Sequence, residues 1–460
     1  MSETRQAAPS RTHAAAAAER VALARDLYFS AVNGADPAAA VRDTLKKFSF
    51  APDAPVWILA LGKAAHPMAA AAVASLATRG VSPAGGLIVG ALEESSPLEI
   101  IEATTGEHPL PGTLSFAAAE RIGALADRVG DDDEVLVLLS GGASSLAAAP
   151  VDGVDTEDLV RLNSMLLDSG SDIIVMNSVR KRFTRWSAGR LARALAPARV
   201  RCLIVSDVPG DDPTFIASGP CSPDPLMARD VEALLEETGM LLSVPPRLRA
   251  YLAAITAGDV EETPKPGDAA FARVERQVIL GNPDALHAAA ARATALGVMP
   301  IYVAREPLAD DAALTGARLA EELIRFQEGG LQGVRDPSKY ACMFWGGETT
   351  VTIGVSGGSG GRCQELALSA ARALHHAGDR GRGITLLAAG TDGRDGPTDA
   401  AGAIVDCSTW DLIRHSTVDP DQALAGHDAF TALHAVSALL ITGASGTNVR
   451  DIVIGIVTRD

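Results

Sequence analysis

The residues best suited to chemistry lie in the stretch 345–366, WGGETTVTIGVSGGSGGRCQEL. A short apolar run with Thr350, Val351, Thr352 and Ile353 leads into Gly354, Gly357, Gly358, Gly360 and Gly361, then Arg362, Gln364 and Glu365. The pattern predicts a strand, a glycine loop and a helix start. Such a loop lets backbone N–H groups approach an anion, and the helix N-terminus adds partial positive charge. An arginine there supplies a charged fork suited to phosphate or carboxylate. The same residues read equally well as a glycine-rich hairpin before a surface helix. The rest of the chain decides between the two.

The elements that would position this chemistry repeat one plan. Residues 56–61, VWILAL, form a continuous apolar run of the kind buried on both faces of a sheet, and they end in Gly62-Lys63-Ala64-Ala65 before an Ala-rich helix. That puts a cation at the carboxyl edge of the sheet, where α/β folds bind their ligands. A solvated lysine at a strand end is the plain alternative. The segment is not a Walker A loop, because Trp57 stands five residues before Gly62 and Ala64 follows Lys63. The run 135–139 leads in the same way into Ser140-Gly141-Gly142-Ala143-Ser144-Ser145, a second candidate phosphate cradle, in which Ser144 could instead merely cap a helix. His108, in the Gly- and Pro-rich turn 104–112, is a second-rank candidate for a proton carrier or phosphate contact.

Residues 176–194 concentrate Arg180, Lys181, Arg182, Arg185 and Arg190, either as a solvated helix face or as an anion contact. The strand expected at 202–205 then ends in Ser206-Asp207-Val208-Pro209-Gly210-Asp211-Asp212. Cations and carboxylates at one sheet edge suit a magnesium-nucleotide site. The run 384–388, ITLLA, ends in a loop with Asp392 and Asp395 that lacks calcium-loop spacing. A last glycine loop at 442–449 precedes an apolar strand at 451–457.

A chain of 460 residues is too long for one ordinary core, so two domains are expected, with the linker in the Pro-containing stretch 251–267 and a fresh unit from 278. A hydrophobic share of 47% with only 4% aromatics implies a core of Ala, Val, Leu and Ile. The formal charge of −17, spread without blocks, argues against a nucleic-acid surface and requires local cations for any anionic substrate. Five cysteines without CxxC spacing indicate neither a disulfide framework nor a zinc site, and a reducing cytoplasm is the expected setting. No apolar run of membrane-spanning length is present, and residues 1–20 read as a polar tail running into an Ala-rich helix.

Taken in order, Gly62-Lys63-Ala64-Ala65, SGGASSL at 140–146, NSVRK at 177–181, SDVPGDDPTFIASGPCSPD at 206–224, GGETTVTI at 346–353, GGRCQELAL at 360–368, GTDGRDGPTDAAGA at 390–403 and TGASGTNV at 442–449 resemble the glycerate 2-kinase family, whose carboxyl-terminal half is the MOFRL domain. The resemblance implies an α/β fold of two domains, each with a largely parallel sheet flanked by helices and with the active site in the interdomain cleft. The domains would be a Rossmann-like 1–255 and a MOFRL-type 270–460. It implies transfer of the γ-phosphoryl of ATP, with Mg²⁺, to the 2-hydroxyl of D-glycerate. Lys63 and Arg362 match the family's catalytic positions, and Ser140, Gly141, Gly142, Ser144 and Ser145 its nucleotide-phosphate segment.

Within that frame Asp207 is expected to orient or deprotonate the acceptor hydroxyl, Arg180, Gly360 and Glu348 to bind substrate, and Asp207 and Asp392 to hold metal. The partner is a small hydroxy acid, with a homodimer the base-rate expectation. Departures from the family are Cys363 for an asparagine, Ser187 for a lysine, Ala143 for a glycine, and Ala444-Ser445 for Pro-Thr. None removes Lys63 or Arg362, so an active kinase is expected, with Cys363 bearing on acceptor choice. The other readings are a kinase for another hydroxy acid, a hydroxypyruvate reductase-type oxidoreductase, and an anion-binding module without turnover. Against the oxidoreductase, no glycine loop spells G-x-G-x-x-G.

Overall fold

The structure, a computed structural model, describes residues 11–51, 53–91, 98, 100–169, 173–330, 339–352 and 357–458. The chain forms two compact units. One, here the inserted unit, is Asp36–Gly281; the other, the split unit, combines Met1–Ala35 with Asn282–Asp460.

Six strands make the sheet of the inserted unit: β1 (Val56–Leu61), β2 (Gly85–Gly90), β3 (Glu102–Thr105), β4 (Glu134–Leu139), β5 (Arg199–Val205) and β6 (Val274–Leu280). Their order is β3-β2-β1-β4-β5-β6 and every pairing is parallel. β1, β2 and β4 are buried along their whole length, which is what their unbroken apolar runs require. The succession runs outward from β1 in one direction and from β4 in the other. The strand order thus switches between β1 and β4, the point in such sheets at whose carboxyl ends ligands are received.

Among the described residues the split unit also has six strands: β7 (Ile301–Val303), β8 (Tyr340–Gly347), β9 (Ile384–Gly390), β10 (Gly402–Asp406), β11 (Leu439–Leu440) and β12 (Asp451–Thr458). Their order is β11-β10-β9-β12-β8-β7. Only β7 and β8 pair in parallel, so the expectation of a second largely parallel sheet is corrected here. Two strands cause it: β10 runs against β9 and β11, and β12 against β8 and β9. β12 enters between β8 and β9 and runs against both, with Val453 opposite Trp345 and Ala388.

The expected domain boundaries also move. The helix Arg11–Gly34 belongs to the split unit, where it packs on the helix Asn282–Ala295 and on β9 and β12. Arg20 Nε donates to Thr385 Oγ1 at 3.0 Å, and the Tyr28 hydroxyl to Gly390 O at 2.8 Å. The stretch placed as a linker is part of the inserted unit: Pro246–Ala257 is a helix, and Thr263 is buried with its hydroxyl 3.0 Å from Asp224. β6, read as the start of a new unit, is instead the edge strand beside β5. The strand expected at 350–353 is absent as far as it is described, since β8 ends at Gly347 and Thr350 makes only an isolated bridge to Asp311. Ile353, Gly354 and residues 1–10 lie outside the described residues. Among the described residues no helix is long and apolar enough to cross a membrane.

Candidate active site

In the inserted unit the candidate side chains gather where β1, β4 and β5 end. Gly62 leaves β1 with φ +119°, and a Cβ there would lie 2.3 Å from Ser140 Oγ, so only glycine lets the β1 and β4 loops meet. The loops are tied by Lys63 N–H donating to Gly141 O (2.9 Å) and by Ala64 N–H donating to Ser140 Oγ (3.0 Å). Gly142, at φ +85°, begins the short helix Ala143–Leu146; a Cβ on it would sit 3.3 Å from Lys63 Cγ and 3.2 Å from the His108 ring. The Asp207 carboxylate lies over Gly141, where an added Cβ would come within 1.9 Å of Oδ2. Lys63, His108, Asp207 and the serine loop thus share one locale.

Arg180 completes this group. It ends the helix Ile173–Arg180, and its Nη2 donates to Asn177 Oδ1 at 2.5 Å, while its Nε is buried without a hydrogen-bond partner. Burial pushes its guanidinium down to about 10, against the opposing charge of Asp207, so it stays a cation at neutral pH. Asn177 Oδ1 also accepts from Ser218 Oγ (3.3 Å), which in turn accepts from Ser144 Oγ (2.8 Å). The surrounding protein, with Lys63 and Arg180, pushes His108 down to about 4 and keeps it neutral.

Not every residue singled out from the sequence faces this locale with a usable group. The Ser140 hydroxyl is taken by Ala64 N and Leu61 O, and the Ser145 hydroxyl donates to Pro109 O at 2.7 Å. These two serines hold the loop, the Ser144 hydroxyl is engaged with Ser218 Oγ, and the loop would meet an anion through its backbone. Of the basic block, only Arg180 belongs here. Lys181 and Arg182 are buried against Asp224 at 2.8 and 3.1 Å, with Glu262 also on Arg182. Arg190 donates to the carbonyls of Lys181, Arg182 and Thr184.

The split unit builds a second charged cluster. Arg362 is the first residue of the helix Arg362–His376. Its Nε and Nη2 meet Asp451 Oδ2 and Oδ1 at 2.5 and 2.9 Å, and its Nη1 lies 3.0 Å from Glu348 Oε1. Burial works against the guanidinium, but the two carboxylates outweigh it and hold the charge. Asp395 caps the helix by accepting from Cys363 N (3.1 Å) and Gln364 N (2.8 Å). Burial and the neighbouring Asp451 push its carboxyl up to about 7. A Cβ on Gly390 would lie 3.2 Å from Asp392 Oδ1 and 3.5 Å from Asp451 Oδ1, which brings Asp392 into the same group. Gly360 packs its carbonyl against Gly396, where a Cβ would come within 2.3 Å. Cys363 is buried beneath, its thiol pushed up by burial and by Asp451 and Asp395. Among the described residues no three of His, Cys, Asp or Glu are close enough to hold a metal ion by themselves, and Asp207 and Asp392 belong to different units.

Two family models match this chain: a domain of unknown function, DUF4147, over residues 23–253, and the MOFRL family over residues 341–451. The D-glycerate 2-kinase of Thermotoga maritima is 36% identical over 439 residues, covering 95% of this chain and 98% of that protein. The chain belongs to the glycerate 2-kinase family. The glycerate kinase crystal structure from the same organism superposes with a TM-score of 0.81 at 35% identity, over 95% of this chain and 98% of that one. A protein of Agrobacterium vitis under the provisional name hydroxypyruvate reductase is 38% identical, over 93% of this chain and 92% of its own length.

For this glycerate 2-kinase family member, sequence reasoning missed Asn177, Ser218, Asp395 and Asp451 as parts of the two clusters. Asn177, Ser218 and Asp395 stood inside the quoted motifs NSVRK, IASGP and GTDGRDGPT, but nothing in their spacing marked which neighbour they would touch. Asp451 lay at the start of the last strand, where only the pairing of β12 reveals its proximity to Arg362.

Proposed function

We propose that this chain is an ATP-dependent D-glycerate 2-kinase, moving the γ-phosphoryl of ATP to the 2-hydroxyl of D-glycerate to give 2-phosphoglycerate and ADP. The observation that carries the reading is the meeting of Lys63, Arg180 and the Gly141–Gly142 backbone at the carboxyl end of a parallel sheet, in a chain of net charge −17. Local cations in an acidic protein mark where anions are received. Family membership supports the same reaction.

In the transfer, an oxygen–phosphorus bond forms from the 2-hydroxyl, the bond from Pγ to the β,γ-bridging oxygen breaks, and the hydroxyl proton leaves. We assign Lys63 and Arg362 to charge on the transferred group and Arg180 to an anionic oxygen of nucleotide or acceptor. Asp207, held beside the Gly141 backbone and in the field of Arg180, is assigned to orienting the hydroxyl and taking its proton. Phosphoryl transfer asks little covalent work of the protein, so alignment and charge stabilisation supply the rate.

Magnesium takes one or two carboxylates and completes its shell from phosphates and water. Asp392 and Asp207 are the carboxylates we assign to it, and when bound it would neutralise phosphate charge. Five free cysteines, four of them buried, are consistent with a cytoplasmic setting, and a homodimer remains the base-rate assembly.

The test is ADP release from ATP and Mg²⁺ with D-glycerate, run beside other hydroxy acids and beside hydroxypyruvate with NADH. Turnover on D-glycerate supports the assignment. Phosphorylation of a different acid keeps the kinase and replaces the acceptor. NADH oxidation without ADP release overturns the kinase and favours the activity named for the Agrobacterium relative.

A further inference from the structure

Arg362 sits where stability alone would not put a cation. The N-terminus of a helix already carries partial positive charge, and an acidic residue is favoured there. Two carboxylates offset the arginine, and they do so unequally. Asp451 uses both oxygens on the Nε–Nη2 edge, with its side chain only 6% exposed, while Glu348 makes one contact to Nη1 and is 40% exposed. Asp451 is itself anchored. It opens β12, paired with Gly347 on one side and Gly390 on the other, and its carbonyl accepts from Asn282 Nδ2 at 2.9 Å.

Two in-plane bonds to a fixed carboxylate remove rotation of the guanidinium about its last bond. Its plane, and the direction of the N–H groups that Asp451 leaves unused, are then set by the sheet. The Arg362 side chain is 34% exposed.

We propose that Asp451 is a positioning residue that holds the Arg362 guanidinium on its Nε–Nη2 edge so that the N–H groups taken by neither Asp451 nor Glu348 present to the transferred phosphoryl. This rests on the assignment of Arg362 to that group. Asp451 touches no reacting atom in this scheme; it acts through the arginine.

The experiment is a kinetic cycle on the full chain: wild type, Arg362→Ala, Asp451→Asn and the double variant, with ATP, Mg²⁺ and D-glycerate, and thermal midpoints alongside. Losing a charge stabiliser at the transition state should lower kcat of Arg362→Ala by about 10²–10³. Asp451→Asn should lower kcat by roughly 10-fold to 10²-fold, with both KM values within about threefold, because ground-state binding is not what it supports. The double variant should be no slower than Arg362→Ala beyond about threefold, since residues acting as a unit do not add.

Guanidinium ion added to Arg362→Ala should restore part of kcat, and should fail to do so in the double variant. Should Asp451→Asn unfold, Asp451→Glu, which keeps the charge, replaces it and should keep more of kcat. Additive losses, or guanidinium rescue undiminished by the loss of Asp451, overturn the inference and leave Arg362 in the mechanism. Wild-type turnover in Arg362→Ala removes the assignment of Arg362 and the inference with it.

Discussion

Asp395 should make the stability of the split unit depend on pH in an unusual direction for a carboxylate. Its side chain is buried, its neighbours include Asp451, Arg362 and Cys363, and burial first, then Asp451, pushes it up to about 7 from an ordinary 3.8. Below about pH 4 both folded and unfolded chains hold the proton. As pH rises the unfolded chain releases it first, so the contribution to stability declines until about pH 7 and is flat above. Each pH unit in that window is worth about 1.4 kcal/mol, so roughly 3 kcal/mol is lost between pH 5 and pH 8 through this one group.

Asp395→Asn removes the titration. The asparagine keeps an oxygen for Gln364 N and gives up the bond to Cys363 N, a pH-independent cost of about 1 kcal/mol. Calorimetric midpoints of wild type and variant, taken at pH 5, 6, 7 and 8, should therefore draw apart as pH rises, the variant gaining on the wild type, with their difference moving by about 6–12 °C over the range. A difference constant to within about 2 °C would refute the raised carboxyl and the packing argument behind it.

Lys63→Ala should lower kcat by about 10²–10⁴ in the ADP-release assay, and wild-type turnover would take the residue out of the mechanism. Asp224→Asn strips the counter-charge from buried Lys181 and Arg182, so chemical denaturation should show a loss of about 3–5 kcal/mol, with kcat of the folded fraction unchanged. His108, neutral down to about pH 4, should titrate near that value by imidazole NMR. Because the unfolded chain takes up this proton first, stability should fall as pH drops from about 6.5 to about 4; His108→Gln should leave any acid limb of kcat/KM between pH 5 and 7 in place.

Much of this architecture was legible from local pattern. VWILAL and VLVLL are apolar without alternation, which only a strand covered on both faces tolerates, and the small residues after each could only be loops at the sheet's carboxyl edge. Arg362 as a helix start followed from the glycines before it and the Ala/Leu periodicity after it. What stayed hidden depends on long-range partners. The second sheet's strands are as apolar as the first's, and direction is set by how β10 and β12 enter, not by composition. Lys181 and Arg182 looked like neighbours of Arg180 in role as well as in sequence, yet they sit at the end of a helix that turns them toward Asp224. Asp207 was found because it follows a strand. Asp451 precedes one and was passed over.

The inserted unit also says something about how the protein is made and could be cut. The helix Arg11–Gly34 is translated before, and the strands it covers, β9 and β12, after everything in Asp36–Gly281. The split unit cannot close until β12 has been made, whereas the inserted unit has all its own strands by Leu280. Gly34 lies so close to Ala288 that an added Cβ would meet that side chain at 2.1 Å, and Asn282 is six residues, about 9 Å of helix, from Ala288. A loop of a few residues could therefore join Ala35 to Asn282, leaving each half of the enzyme as a separate, continuous piece of chain.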